Sequence, residues 1–143
     1  YLAGIGSLLN KADTESLENI KILNADIAPF LEEKVANNCF DLILMFYPDP
    51  WPKRKHHKRR LFQKDFVNLV NKKLKPNGIF YFKTDWSHYF DHAKKLLLHN
   101  SGWKVLEKKD LEEYLQNLPQ TSFEKKALTA RRELNELILK KIN

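Results

Sequence analysis

The chain has 143 residues, 43% hydrophobic and 30% charged, which suits one soluble domain with its own core and argues against a multidomain reading. Its 25 Lys+Arg against 18 Asp+Glu leave a net charge of +7, which points to a polyanionic partner, nucleic acid most commonly and an anionic membrane surface as the competitor. One cysteine, Cys39, excludes a disulfide framework or a thiolate zinc site, and with no signal peptide and no apolar run near the roughly 18 residues of a membrane span, a cytoplasmic location is expected.

The chain opens at Tyr1 rather than Met and runs straight into Gly4-Ile5-Gly6, so residues 1–143 are expected to be the C-terminal major part of a single, longer domain. Two glycines with no strand before them do not make a dinucleotide fingerprint. The spacing of Leu8, Leu9, Ala12 and Leu17 predicts a helix from Ser7 to about Leu17, and Ile20–Leu23 predicts a short strand with Asp26 at its end. Pro29 in a first turn predicts a helix over 29–36, and Phe40–Tyr47 is the nearly continuous apolar run of a buried parallel strand. Leu61, Phe62, Phe66, Leu69, Val70 and Leu74 keep helical spacing until Lys75-Pro76-Asn77-Gly78 breaks it. A strand over Ile79–Lys83 follows, with Asp85 just beyond, then a helix over His88–His99 and strands over Trp103–Leu106 and Glu133–Lys140. This alternation predicts an α/β fold with a mostly parallel sheet, helices on both faces, and ligands at the carboxyl ends of the strands. Asp26, Asp49 and Asp85 are each expected near such an end, although a turn-forming aspartate would look the same at any one of them.

The charge is concentrated. Lys53-Arg54-Lys55-His56-His57-Lys58-Arg59-Arg60 holds six cations and no acid, and without it the balance is 19 against 18. Directly before it stands Phe46-Tyr47-Pro48-Asp49-Pro50-Trp51, where two prolines stiffen the backbone around a carboxylate and Tyr47 and Trp51 bracket it with flat surfaces. Such a slot suits a planar heterocycle with its polar edge toward the acid. A proline-stiffened strand exit with Trp51 in the core is the alternative. Most charge runs are solvated faces. This one lies between a buried strand and an amphipathic helix, and Lys58, Arg59 and Arg60 are expected to begin that helix, where the dipole disfavours cations but a phosphate would meet both amides and side chains. Adjacent His56 and His57 have no further ligands nearby, so no metal site is expected.

These motifs, with Leu74-Lys75-Pro76-Asn77-Gly78, Thr84-Asp85-Trp86 and Thr121-Ser122-Phe123-Glu124 in the same order, resemble the bacterial tRNA (guanine-N7-)-methyltransferase family across almost the whole chain. The resemblance implies a Rossmann-like class I methyltransferase fold whose first strands lie upstream, and methyl transfer from S-adenosyl-L-methionine to guanosine N7 in the variable loop of tRNA, with no metal and no membrane. By position it assigns Asp26 and Asp49 to the cofactor and Asp49 also to catalysis. Lys53, Asp85, Thr121, Ser122, Phe123 and Glu124 match the substrate contacts, and Lys55, His56, His57, Lys58, Arg59 and Arg60 the RNA-contacting stretch. The family's glycine-rich cofactor motif and second-strand acid fall before Tyr1, and Lys125–Asn143 matches loosely.

Chemistry agrees with the residues. Guanine N7 has a lone pair and no proton, so attack on a methyl group needs alignment more than a base, and Asp49 could offset the charge that develops on the purine. The rivals are a methyltransferase acting on an exocyclic amine of nucleic acid and an RNA-binding fragment without activity. Three strand-end acids argue against the second, because carboxylates near phosphates weaken binding.

Overall fold

A computed structural model describes residues 2–99 and 102–142. Four strands carry the fold: β1 (Phe40–Phe46), β2 (Leu74–Thr84), β3 (Trp103–Leu106) and β4 (Asn135–Lys141). They form one sheet in the order β1-β2-β4-β3. β1 and β2 pair in parallel, Ile43 beside Phe80, whereas β4 is antiparallel to both β2 and β3. Three strands therefore share a direction, as the alternation predicts, yet two of the three ladders are antiparallel. The cause is a short connection. Helix α6 (Ser122–Thr129) sits at the carboxyl end of β2, and only five residues separate it from β4, so β4 must start at that end and run back.

Strand side chains alternate between faces, and in β2 both faces are covered. Phe80 and Phe82 point with Leu137 and Leu139 into a core shared with Phe62, and with α3 (Lys64–Lys73) and α4 (Ser87–Leu98). Tyr81 and Ile138 point the other way, onto Leu111 and onto Leu115 of the short helix α5 (Glu113–Gln116). Aromatic edges lock the first core: the Phe62 ring lies 4.6 Å from Phe82 and 5.8 Å from Tyr89, both edge-on.

Helices α1 (Leu2–Thr14) and α2 (Ile27–Lys34) complete the order. Three expectations need correction. Ile20–Leu23 forms no strand, because no neighbouring strand pairs with it among the described residues, and Asp26 is instead the N-cap of α2, accepting a hydrogen bond from Ala28 N–H at 3.2 Å. Lys75–Gly78 does not interrupt the chain between helix and strand: β2 already begins at Leu74, and the register slips between Phe40/Leu74 and Leu42/Ile79 to absorb the extra residues. Asn77 takes a left-handed φ of 65° there, and a Cβ on Gly78 would meet Lys75 O at 2.9 Å and Phe40 O at 3.1 Å, so only glycine fits. Finally, Lys58, Arg59 and Arg60 do not begin α3. Residues Arg54–Arg59 form a separate 3-10 helix, α3 starts at Lys64, and the amides of α3 are not where the run was expected to place a phosphate.

Among the described residues no helix is long and apolar enough to cross a membrane.

Candidate active site at the carboxyl ends of β1 and β2

β1 leaves the sheet at Phe46, and the next residues form an elbow under strain. Tyr47 N–H still donates to Lys83 O at 2.8 Å, prolonging the ladder by one bond, but Tyr47 (φ 55°) and Trp51 (φ 42°) both occupy the left-handed region. For bulky residues that conformation costs about 1–3 kcal/mol each and persists only where the surroundings enforce it. Pro48 and Pro50 stiffen the turn between them, and Asp49 projects into solvent at its apex.

Arg60 does the enforcing on one side. Its side chain is directed inward, the residue is 2% exposed, Nε donates to Pro50 O at 2.8 Å, and its guanidinium lies 3.2 Å from His88 Nδ1 and 5.0 Å from the centre of the Tyr89 ring. Burial lowers its pKa, yet a guanidinium stays charged under any working condition. The elbow's rings do not form an open slot around Asp49, contrary to the bracket expected. Tyr47 stacks on Phe123 (6.1 Å, 14° between planes), while Trp51 is covered by the Arg59 guanidinium at 5.0 Å and met edge-on by His56.

The second wall is the start of α6. Thr121 caps it, its hydroxyl oxygen accepting from Glu124 N–H at 3.1 Å, and Ser122 and Phe123 follow on the exposed surface. Glu124 turns in and pairs with Lys83 at 3.8 Å, whose ammonium also sits 5.3 Å from both the Phe46 and Tyr81 rings. Below this pair Tyr81 donates its hydroxyl to Glu136 at 2.7 Å, and beside it Asp85 pairs with Arg132 at 2.7 Å. Burial first, then the charges of Glu124, Asp85 and Glu136, push the Tyr47 phenol up to about 12, so it is a hydrogen-bond donor across the physiological range. Tyr81 is raised as well, by burial and by its bond to Glu136.

Asp49, Asp85 and the Thr121–Glu124 segment thus gather where the strands end. Lys53, Lys55, Lys58 and Arg59 are exposed on or beside the 3-10 helix, and His56 and His57 are partly covered, with the His57 ring 5.1 Å from that of His88. Arg60 is the exception in the run: buried under the elbow, it is not available to a phosphate. Asp26 lines a groove of about 390 Å³ with Ala28, Leu61 and Phe66, to which Arg59 and Arg60 also contribute. Sequence reasoning overlooked Lys83, His88 and Arg132. For Lys83 a signal existed, since it continues the inward face of Ile79 and Tyr81; His88 and Arg132 carried none.

The model of a protein family described as "Putative methyltransferase" matches residues 1–137. A tRNA (guanine-N(7)-)-methyltransferase of Nitrosococcus oceani is 42% identical over 106 residues, which is 74% of this chain and 45% of that protein. One of Yersinia enterocolitica is 36% identical over 122 residues, 85% of this chain and 51% of that protein. The chain spans about half the length of the curated relatives it matches. Among solved structures the cyclase SpnF superposes with a TM-score of 0.53 at 10% identity, covering 93% of this chain and 60% of that one, a likeness of fold. The α/β fold expected from the motifs is thus observed, with one parallel and two antiparallel ladders among the described residues. Because the family match spans residues 1–137, with the elbow, the basic 3-10 helix and the α6 segment inside it, this chain belongs to that methyltransferase family.

Proposed function

We propose that the protein containing this chain transfers the methyl group of S-adenosyl-L-methionine to N7 of a guanosine in the variable loop of tRNA, in the cytoplasm. The observation that carries the reading is the strained elbow. It carries the exposed Asp49 between Tyr47, whose ring stacks on Phe123, and the cationic 3-10 helix that starts at Arg54. The relatives, named tRNA (guanine-N(7)-)-methyltransferases, support the same substrate and atom.

When bound, the cofactor supplies an electrophilic methyl group on a positively charged sulfur. The residues present fit one side of it: the Asp26 carboxylate can accept from an adenine amine, with Ala28, Leu61 and Phe66 as apolar wall, and Asp49 offers negative charge to the sulfonium. Accepting that methyl group through its lone pair would leave N7, and with it the purine, positively charged. No proton leaves N7, so Asp49 acts by compensating the positive charge on the purine, a preorganised electrostatic effect of a few kcal/mol, about 2.7–4 for a well-placed group. Phe123, 59% exposed, provides a face for the base, and Glu124 and Asp85 hold acceptors for its N–H edge. Lys53, Lys55, Lys58 and Arg59 serve the phosphates.

Full-length protein incubated with tRNA and radiolabelled cofactor, followed by digestion to nucleosides, should yield labelled 7-methylguanosine. Label on an exocyclic amine, or none, overturns the assignment.

A further inference from the structure

Among the described residues of the basic run, Arg60 alone is withdrawn from solvent, with 2% exposure, and no carboxylate forms an ion pair with it. A buried charge without a counter-ion is costly unless every donor is used. Arg60 spends its donors on two elements at once: Nε on the carbonyl of Pro50 at 2.8 Å, and the guanidinium tip toward Nδ1 of His88 at 3.2 Å, with the Tyr89 ring beneath. Pro50 directly follows Asp49 in the turn.

We propose that Arg60 is a positioning residue, which acts on the reaction by fixing where the Asp49 carboxylate stands. The elbow has a left-handed residue at each end, and both ends are tied, the Trp51 end also by ring contacts with Arg59 and His56 and by His57 Nε2, which lies 3.4 Å from Pro52 O. The Tyr47 end is held by its N–H bond to Lys83 O, part of the sheet. The Trp51 end is held through Pro50 by Arg60, and through Arg60 by the first turn of α4. Strained backbone relaxes when its restraint is removed, and only a planar fork can serve two acceptors in different directions while stacked on a ring. Lysine, with one ammonium at the end of a flexible stem, cannot. A displacement of about 1 Å in such a group lowers turnover by up to about a hundredfold.

This inference rests on the methyl-transfer reading, and the experiment keeps the two apart. In the full-length protein, Arg60→Met, Arg60→Lys and His88→Ala are compared for kcat, KM for tRNA, and the salt dependence of tRNA binding. A positioning role lowers kcat about ten- to a hundredfold in both Arg60 variants and about two- to fivefold in His88→Ala, with tRNA affinity and its salt slope unchanged. Restoration of kcat by Arg60→Lys, or a salt slope reduced by about one, would instead make Arg60 a phosphate contact and overturn the proposal. Should Arg60→Met fail to fold, Arg60→Lys and the exposed His88→Ala decide. Should the unmodified protein prove inactive on tRNA, the functional reading falls while the clamp is still read from a crystal structure of Arg60→Lys: a shifted Asp49 on an unmoved sheet supports it, and an unmoved elbow ends it.

Discussion

Two apolar stretches of this chain meet opposite fates. Around β2, Phe62, Phe80, Phe82 and Tyr89 are sealed completely, whereas at the N-terminal side Leu9 is 54% exposed, Leu17 43% and Leu23 46%. Their sequences promise burial equally. The difference lies in partners: β2 has a strand on each side and helices over its main face, while Ile5, Leu9, Ala12 and Leu17 line an open groove of about 630 Å³ with Ile20 and Ile22. Periodicity states which face of an element seeks cover, and only tertiary structure states whether cover is there. The site is built on the sealed side, where a strained elbow can be held.

The largest effect that tests this contrast is on stability. Phe82→Ala should cost about 3–5 kcal/mol by opening a cavity among locked rings, and Leu9→Ala under about 1 kcal/mol in the same chain, as chemical denaturation would measure. Equal losses would mean that the N-terminal side is as well packed as the sheet. For the elbow itself, Asp49→Ala in the full-length protein should cut kcat by about 10²–10³ with folding unaffected, and near-normal turnover would remove Asp49 from the chemistry. A smaller change is expected outside it: reversing Lys55 or Lys58 to glutamate should lower the slope of log affinity for tRNA against log salt by about one for each phosphate no longer neutralised. An unaltered slope would make that helix a solvated face.

The subtlest difference is in titration. The Tyr47 phenol, pushed up to about 12, holds its proton in the folded state through a range where the unfolded chain, near 10, releases it. Its contribution to stability is therefore intact below about pH 10 and is lost as pH rises from there toward 12. Absorbance titration of tyrosinate, compared with Tyr47→Phe, should show one late-ionising group missing from the variant.

Much of the sealed side was legible in advance because its signals are redundant. The spacing of Phe66, Leu69 and Val70, the apolar run of β1 and the alternation of β4 each point to one element, and tertiary contacts agree with them, although Leu61 and Phe62 fall before the helix they were expected to open. The strand expected over Ile20–Leu23 failed for the converse reason: four apolar residues specify an extended conformation only if a ladder is there to receive it. Asp26 then took the commonest local role of its residue type, a helix cap. Within the site, the acids of the strand ends and the α6 segment were visible as motifs. The inward turn of Arg60 was not, because a 3-10 helix ends at Arg59 and leaves Arg60 as an extended cap, where the spacing predicts the start of a phosphate-facing helix.

β1 occupies one border of the sheet, and along that border its amides and carbonyls face away from β2. Asp41 is the single charge in the strand, paired with Lys75, while Leu44 is 42% exposed. Such a border is adhesive. It invites another strand, whether supplied by the same polypeptide or by a neighbouring copy, so concentrated solutions of these 143 residues alone should self-associate and scatter light unless something else occupies that margin.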